Sequence, residues 1–100
     1  MSVQIQERGT GMKVNVIEIN PLDNVVVATI DIVRGDLVSL PGGVTFPALS
    51  DIPCGHKIVR KDIEDGQSII KYGEPIGQAR GPLKKGDWVH IHNMIIEGEK

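Results

Sequence analysis

One hundred residues, 40% hydrophobic but only 3% aromatic, make one domain with an aliphatic core and leave no room for two. The net charge is −2, and the 11 basic and 13 acidic residues are interleaved, so no basic face is offered to nucleic acid. No run approaches the ~20 apolar residues that span a bilayer; residues 1–8 lack the apolar stretch of a signal peptide; and the single Cys54 has no internal partner, which together point to a cytoplasmic protein without membrane contact.

In chain order, residues 1–11 read as a flexible N-terminal arm with Gly9 and Gly11, and the domain runs from 12 to 100. Met12–Ile19 reads as a strand whose apolar phase slips between Val14/Val16 and Ile17/Ile19, as a bulge would cause. Asn20-Pro21-Leu22-Asp23-Asn24 is a turn, and Val25–Ile30 is the most β-prone run and the expected central strand. Pro41-Gly42-Gly43 turns the chain again, and Pro47–Ser50 is an extended link or a single helical turn.

One device recurs four times: Ile32-Val33-Arg34-Gly35, Ile52-Pro53-Cys54-Gly55, Ile63-Glu64-Asp65-Gly66 and Leu83-Lys84-Lys85-Gly86. An apolar anchor is followed by two exposed residues and a Gly that supplies φ > 0. Asp31, Asp51 and Asp62 precede the first three and are expected to bond nearby backbone N–H groups. The uneven spacing argues against a solenoid. No window keeps apolar residues at i, i+3, i+4, i+7 for three turns, so the expected fold is all-β, a single domain of short strands with at most one or two short helical turns.

All three histidines and the only Tyr and Trp fall in three short segments beside Gly-marked turns: Gly55-His56-Lys57, Ile70–Gly77 and Trp88–Asn93. If Trp88–His92 is a strand, Trp88, His90 and His92 share one face while Val89 and Ile91 face the core. Two imidazoles about 7 Å apart at Cα then serve one metal ion or one anionic ligand, and Asn93 adds a donor and an acceptor. The competing reading is a polar exposed face with Trp88 covering a neighbouring element.

His56 and Lys57 open a strand, where an amine beside an imidazole suits a carboxylate or a developing oxyanion; an ordinary solvated turn is the alternative. Cys54 reads as a turn residue. Lys71–Gly77 reads as a hairpin tip with Gly73 in the turn. Lys71 and Tyr72 point to opposite faces if the strand stays regular, so at most one of them reaches a common site. The sequence has no Gly-rich phosphate loop, no Cys pair for zinc and no Gly-X-Ser-X-Gly turn.

The order of four segments, Asp23–Ala28, Ile52–Lys57, Ile70–Gly77 and Gly86–Asn93, resembles the SAF domain of the altronate and galactarate dehydratase family over roughly Val16 to Met94. Residues 1–15 and Val38–Leu49 carry none of the resemblance. It implies a β-clip (SAF-type) fold and a part in sugar-acid dehydration, as the small subunit or N-terminal SAF domain beside a large catalytic dehydratase subunit or domain. A similar small subunit occurs in sulfolactate sulfo-lyase. More distant SAF relatives, in sialic acid synthases, antifreeze proteins and pilus or flagellar assembly proteins, lack the His-X-His-Asn ending.

Dehydration of a 2,3-dihydroxy acid removes the proton α to a carboxylate and expels the β-hydroxyl, which calls for a base, an acid and a divalent metal. Three histidines and a lysine cannot supply all of these, so the expectation is a site shared with the partner. His90 and His92 are the expected ligands of a divalent metal, iron or manganese by preference, that this chain alone does not hold firmly. His56 is the expected proton carrier, Lys57 pairs with the substrate carboxylate, and Lys71, Tyr72 and Asn93 bind or orient substrate. The competing classes are a non-catalytic module that docks on the large subunit and an orphan β domain. Short exposed strand edges also allow a homo-oligomer.

Overall fold

The structure, a computed structural model, describes residues 13–90 and 92–96. The predicted arm at 1–11 lies outside these. Nine short strands are described, β1 (Val16–Ile17), β2 (Val25–Ala28), β3 (Leu37–Ser39), β4 (Thr45–Pro47), β5 (Lys57–Val59), β6 (Ser68–Lys71), β7 (Glu74–Ala79), β8 (Trp88–Val89) and β9 (Met94–Ile95), with no helix among the described residues. The all-β expectation holds. Pro47 ends a strand and the chain bends at Leu49 and Ser50 without a helical turn, and the predicted Met12–Ile19 strand shortens to β1 among the described residues.

Every strand pairing is antiparallel. A central sheet has the order β1-β2-β5-β8, a second sheet β6-β7-β9 has β7 in the middle, and β3-β4 form a separate hairpin. The central sheet is buried on both sides, which explains an unbroken Val25-Val26-Val27-Ala28 where a half-exposed strand would alternate with polar residues. Val26 and Ile58 face one core with Ile32, Val38, Phe46 and Ile52, against which Trp88 packs. Val25, Val59 and Val89 face the other, with Ile63, Ile69 and Leu83.

The four repeated turns meet in two pairs, through an antiparallel bridge between Ile32 and Ile52 and another between Ile63 and Leu83. The aspartates act across these pairs and not on their own turns. Asp31 Oδ1 accepts from Cys54 N at 2.9 Å and Asp51 Oδ1 from Arg34 N at 2.8 Å, each reaching the partner turn; Asp62 Oδ1 does the same with Lys85 N at 2.8 Å. The local Asx bonds expected from the sequence are replaced because the bridge brings the opposite turn closer.

The uneven spacing conceals a duplication. Ile63 follows Ile32 by 31 residues and Leu83 follows Ile52 by 31, and the same offset carries Leu37–Ser39 of β3 onto Ser68–Ile70 of β6. Asn15 holds β3 by donating Nδ2 to Leu37 O and accepting from Ser39 N. Asn24 holds β6 in the same way, with Nδ2 on Ser68 O and Oδ1 accepting from Ile70 N. Strands β2, β5 and β8 lie side by side and antiparallel in the central sheet, which places the start of β5 next to the end of β8.

Candidate functional site

That adjacency assembles the histidines. Ile58 of β5 pairs with Trp88 of β8, and both side chains leave on the Ile32/Ile52 side of the sheet. The Trp88 indole Nε1–H donates to His56 Nδ1 at 3.1 Å, with the rings edge to face at 5.5 Å between centroids. On its other side the indole lies 4.4 Å from the His90 ring, which is 4.3 Å from that of His92. The three imidazoles therefore form one continuous group with the indole inside it.

The predicted strand through His92 stops at Val89, with Ile91 outside the described residues. The physical reason is Asn93. Its Oδ1 accepts from His90 N at 2.9 Å, its Nδ2 donates to Trp88 O at 2.9 Å, and its own N–H donates to His90 O at 3.1 Å. These bonds satisfy the groups a further strand would have paired, and bring Asn93 back onto His90 and Trp88. The His90 and His92 imidazoles are thus in edge-to-face contact, 4.3 Å between centroids. The Asn93 side chain, expected on substrate, has both of its polar atoms on backbone.

The bonds also fix proton positions. His56 Nδ1 is an acceptor, which leaves its ring proton on Nε2. His90 Nδ1 accepts from His92 N at 3.2 Å and faces His92 Nδ1 at 2.5 Å, so the shared proton sits on the His92 ring. Burial, followed by the positive charges His92 and His56 would carry, holds His90 below the ordinary histidine range.

Lys57 separates from this group. It pairs across the sheet with Val27 and Val89, so its side chain leaves on the Val89 side, opposite Trp88. Burial and then the Lys71 charge push its amine down from the ordinary lysine value. The Lys71 amine stands 5.0 Å from the centroid of the Tyr72 ring. Lys57, Lys71 and Tyr72 thus make a second, cationic group across β5 from the imidazoles.

The expected geometry of the tip changes for a backbone reason. Tyr72 and Gly73 have φ of 60° and 74°, the two left-handed positions of a type I′ turn between β6 and β7. Tyr72 is therefore in the turn and not on the strand, which lets Lys71 lie over its ring. A left-handed tyrosine costs about 1 kcal/mol. Asp23, only 1% exposed, opposes that cost: its Oδ2 accepts from Tyr72 N at 3.0 Å and its Oδ1 from Gly73 N at 2.7 Å. Sequence reasoning missed this aspartate because it stood in a turn segment where Asp is common. The bond between Trp88 and His56, 32 residues apart, was equally hidden.

The two Nδ1 atoms share a proton at 2.5 Å, so they could serve a divalent ion as a pair of nitrogen ligands only after that proton leaves and the rings part. Among the described residues no group of three or more His, Cys, Asp or Glu could hold a metal ion, so any complete coordination sphere would draw on further ligands. The described residues also include no helix long and apolar enough to cross a membrane.

The chain is 40% identical over 77 residues to altronate dehydratase of Bacillus subtilis (strain 168) and 43% identical over 77 residues to that of Escherichia coli (strain K12), in each case covering 77% of this chain and 15% of the relative. It is 46% identical over 46 residues to (2R)-sulfolactate sulfo-lyase subunit alpha of Paracoccus pantotrophus, covering 46% of this chain and 69% of that subunit. It thus spans only about 15% of the altronate dehydratases it matches. The family model for the altronate/galactarate dehydratase SAF domain matches residues 14–97, nearly the whole of the described fold and both side-chain groups, and the chain belongs to that family.

Proposed function

We propose that this chain is the SAF part of a cytoplasmic sugar-acid hydro-lyase and that its histidine group faces a site completed by a larger catalytic subunit or domain. The observation that carries the reading is the joining of His56, His90 and His92 through one indole, which gathers all three imidazoles of the chain into one group. In this reading His56 carries a proton, and His90 and His92, on losing the proton they share, would hold a divalent ion such as iron or manganese. Such an ion, when bound, would supply Lewis-acid stabilisation of charge on substrate oxygen.

The overall change is loss of water from a polyhydroxy acid: a C–H bond α to the carboxylate and the β C–O bond break, and a C=C bond forms. Lys57 and Lys71 supply positive charge for a carboxylate, with Tyr72 beside them. His56 and Lys57 are adjacent in sequence, so an extended sugar acid laid over this end of the sheet can touch both groups. Asn93 acts through the histidines by fixing their turn.

The test is turnover of the assembled enzyme on hexonates and hexarates. His56→Ala, His90→Ala and His92→Ala should each lower turnover by about 100-fold or more, as loss of a proton-transfer group does. Near-full turnover in all three would reduce the chain to a docking module. A second reading, the alpha-type subunit of a sulfolactate lyase, is supported by the 46% identity to such a subunit. Release of sulfite from sulfolactate, in place of water from a sugar acid, would favour it.

A further inference from the structure

We infer that Trp88 is a positioning residue that holds all three imidazoles in one protonation pattern and one orientation. The inference rests on the proposed role of the histidines for its effect on turnover, but not for its physical content. Trp88 is half-buried, its indole packs on the core beneath the central sheet, and its backbone is fixed by pairing with Ile58 and by the Asn93 amide. It is thus the best anchored member of the group. His56 and His92 are exposed, and an exposed imidazole on its own would rotate about two side-chain torsions.

The indole meets its neighbours with two different surfaces. Its N–H edge points at His56 Nδ1, which restricts that ring to the tautomer with the proton on Nε2, turned away from the indole. The His90 ring lies tilted against it with centroids 4.4 Å apart, and the Nδ1 atom of that ring faces His92. Tyrosine or phenylalanine could provide a face but no ring N–H, whereas Trp provides a face and a ring N–H that can only donate. Outer groups that orient ligands in this manner commonly change metal affinity when removed.

The experiment uses the full chain labelled with 15N, and Ni2+ as the probe ion because imidazole suits it. A through-hydrogen-bond coupling between Trp88 Nε1 and His56 Nδ1 is expected, and it needs no variant. Trp88→Phe should abolish the coupling while leaving Ni2+ broadening of His90 and His92 close to wild type. Trp88→Leu, which keeps apolar packing but no ring, should weaken Ni2+ binding about tenfold. Absence of the coupling, or unchanged Ni2+ affinity in a folded Trp88→Leu chain, overturns the inference. Near-full turnover of His56→Ala, His90→Ala and His92→Ala alike in the assembled enzyme would overturn the proposed function and leave this inference standing.

Discussion

Removing the carboxylate of Asp23 should unfasten the Lys71–Tyr72 tip. Asp23 is 1% exposed and accepts two backbone N–H bonds, from Tyr72 at 3.0 Å and Gly73 at 2.7 Å. Hydrogen bonds to a charged group contribute about 1.5–3 kcal/mol each. Tyr72 and Gly73 are exposed, so their freed N–H groups can reach water, and the lower end applies. Asp23→Ala should therefore cost about 3 kcal/mol, to which the left-handed strain of Tyr72 no longer has an opposing force. Asp23→Asn keeps one acceptor and turns an NH2 group toward the second N–H, and should cost roughly half as much. In urea, with a slope of about 1 kcal/mol/M, these are midpoint shifts of about 3 M and 1.5 M. A midpoint for Asp23→Ala within about 0.5 M of wild type would refute the reasoning. So would a Tyr72 amide whose hydrogen exchange is unchanged.

Other consequences can be measured on the same chain. Gly77→Ala would place a Cβ 2.5 Å from Ile95 O and 3.0 Å from Met94 Cγ, so β9 should lift from β7 at a cost of about 1–3 kcal/mol, read by urea unfolding and by faster amide exchange at Ile95. His90 has a lowered value in the folded chain, so the unfolded chain binds the proton more readily. Stability should therefore fall as the pH drops below about 6.5, and less so in His90→Gln, compared by urea midpoints at several pH values. Lys71→Gln removes the second cause of the Lys57 shift, and the Lys57 amine should titrate at higher pH, followed through its 13Cε resonance. Asn93→Ala leaves His90 N and Trp88 O without their partners and should cost about 1–2 kcal/mol, with disorder of both histidine rings seen by NMR.

The sequence made the strands legible where side-chain chemistry is local. Val25–Ile30 reads as the central strand because its run is rich in β-branched residues, and the strand forms over Val25–Ala28; the Gly-marked turns read correctly because positive φ selects Gly. The grouping of the histidines was also legible, because all three lie in two short segments beside turns. What could not be read was anything decided by the partner of a bond. Asp31, Asp51 and Asp62 look like local turn residues and bond another turn instead. His90 and His92 look like strand residues until Asn93 folds back on them. His56 and Lys57 are neighbours in the chain, yet the sheet sends their side chains to opposite sides. Asp23 and Trp88 act on residues 49 and 32 positions away, respectively, and no short motif records such distances.

The two hairpins that the 31-residue offset relates have been left with different freedoms. The tip of β6–β7 is clamped by a buried carboxylate, whereas that of β3–β4 closes through backbone bonds from Leu40 to Val44 and from Gly43 to Leu40, with Gly42 and Gly43 open to solvent. One copy has become committed, and its twin is spare. A peptide tag, fluorophore loop or circular-permutation cut inserted between Gly42 and Gly43 should be carried without disturbing the histidines, making that bend the natural handle for engineering this domain.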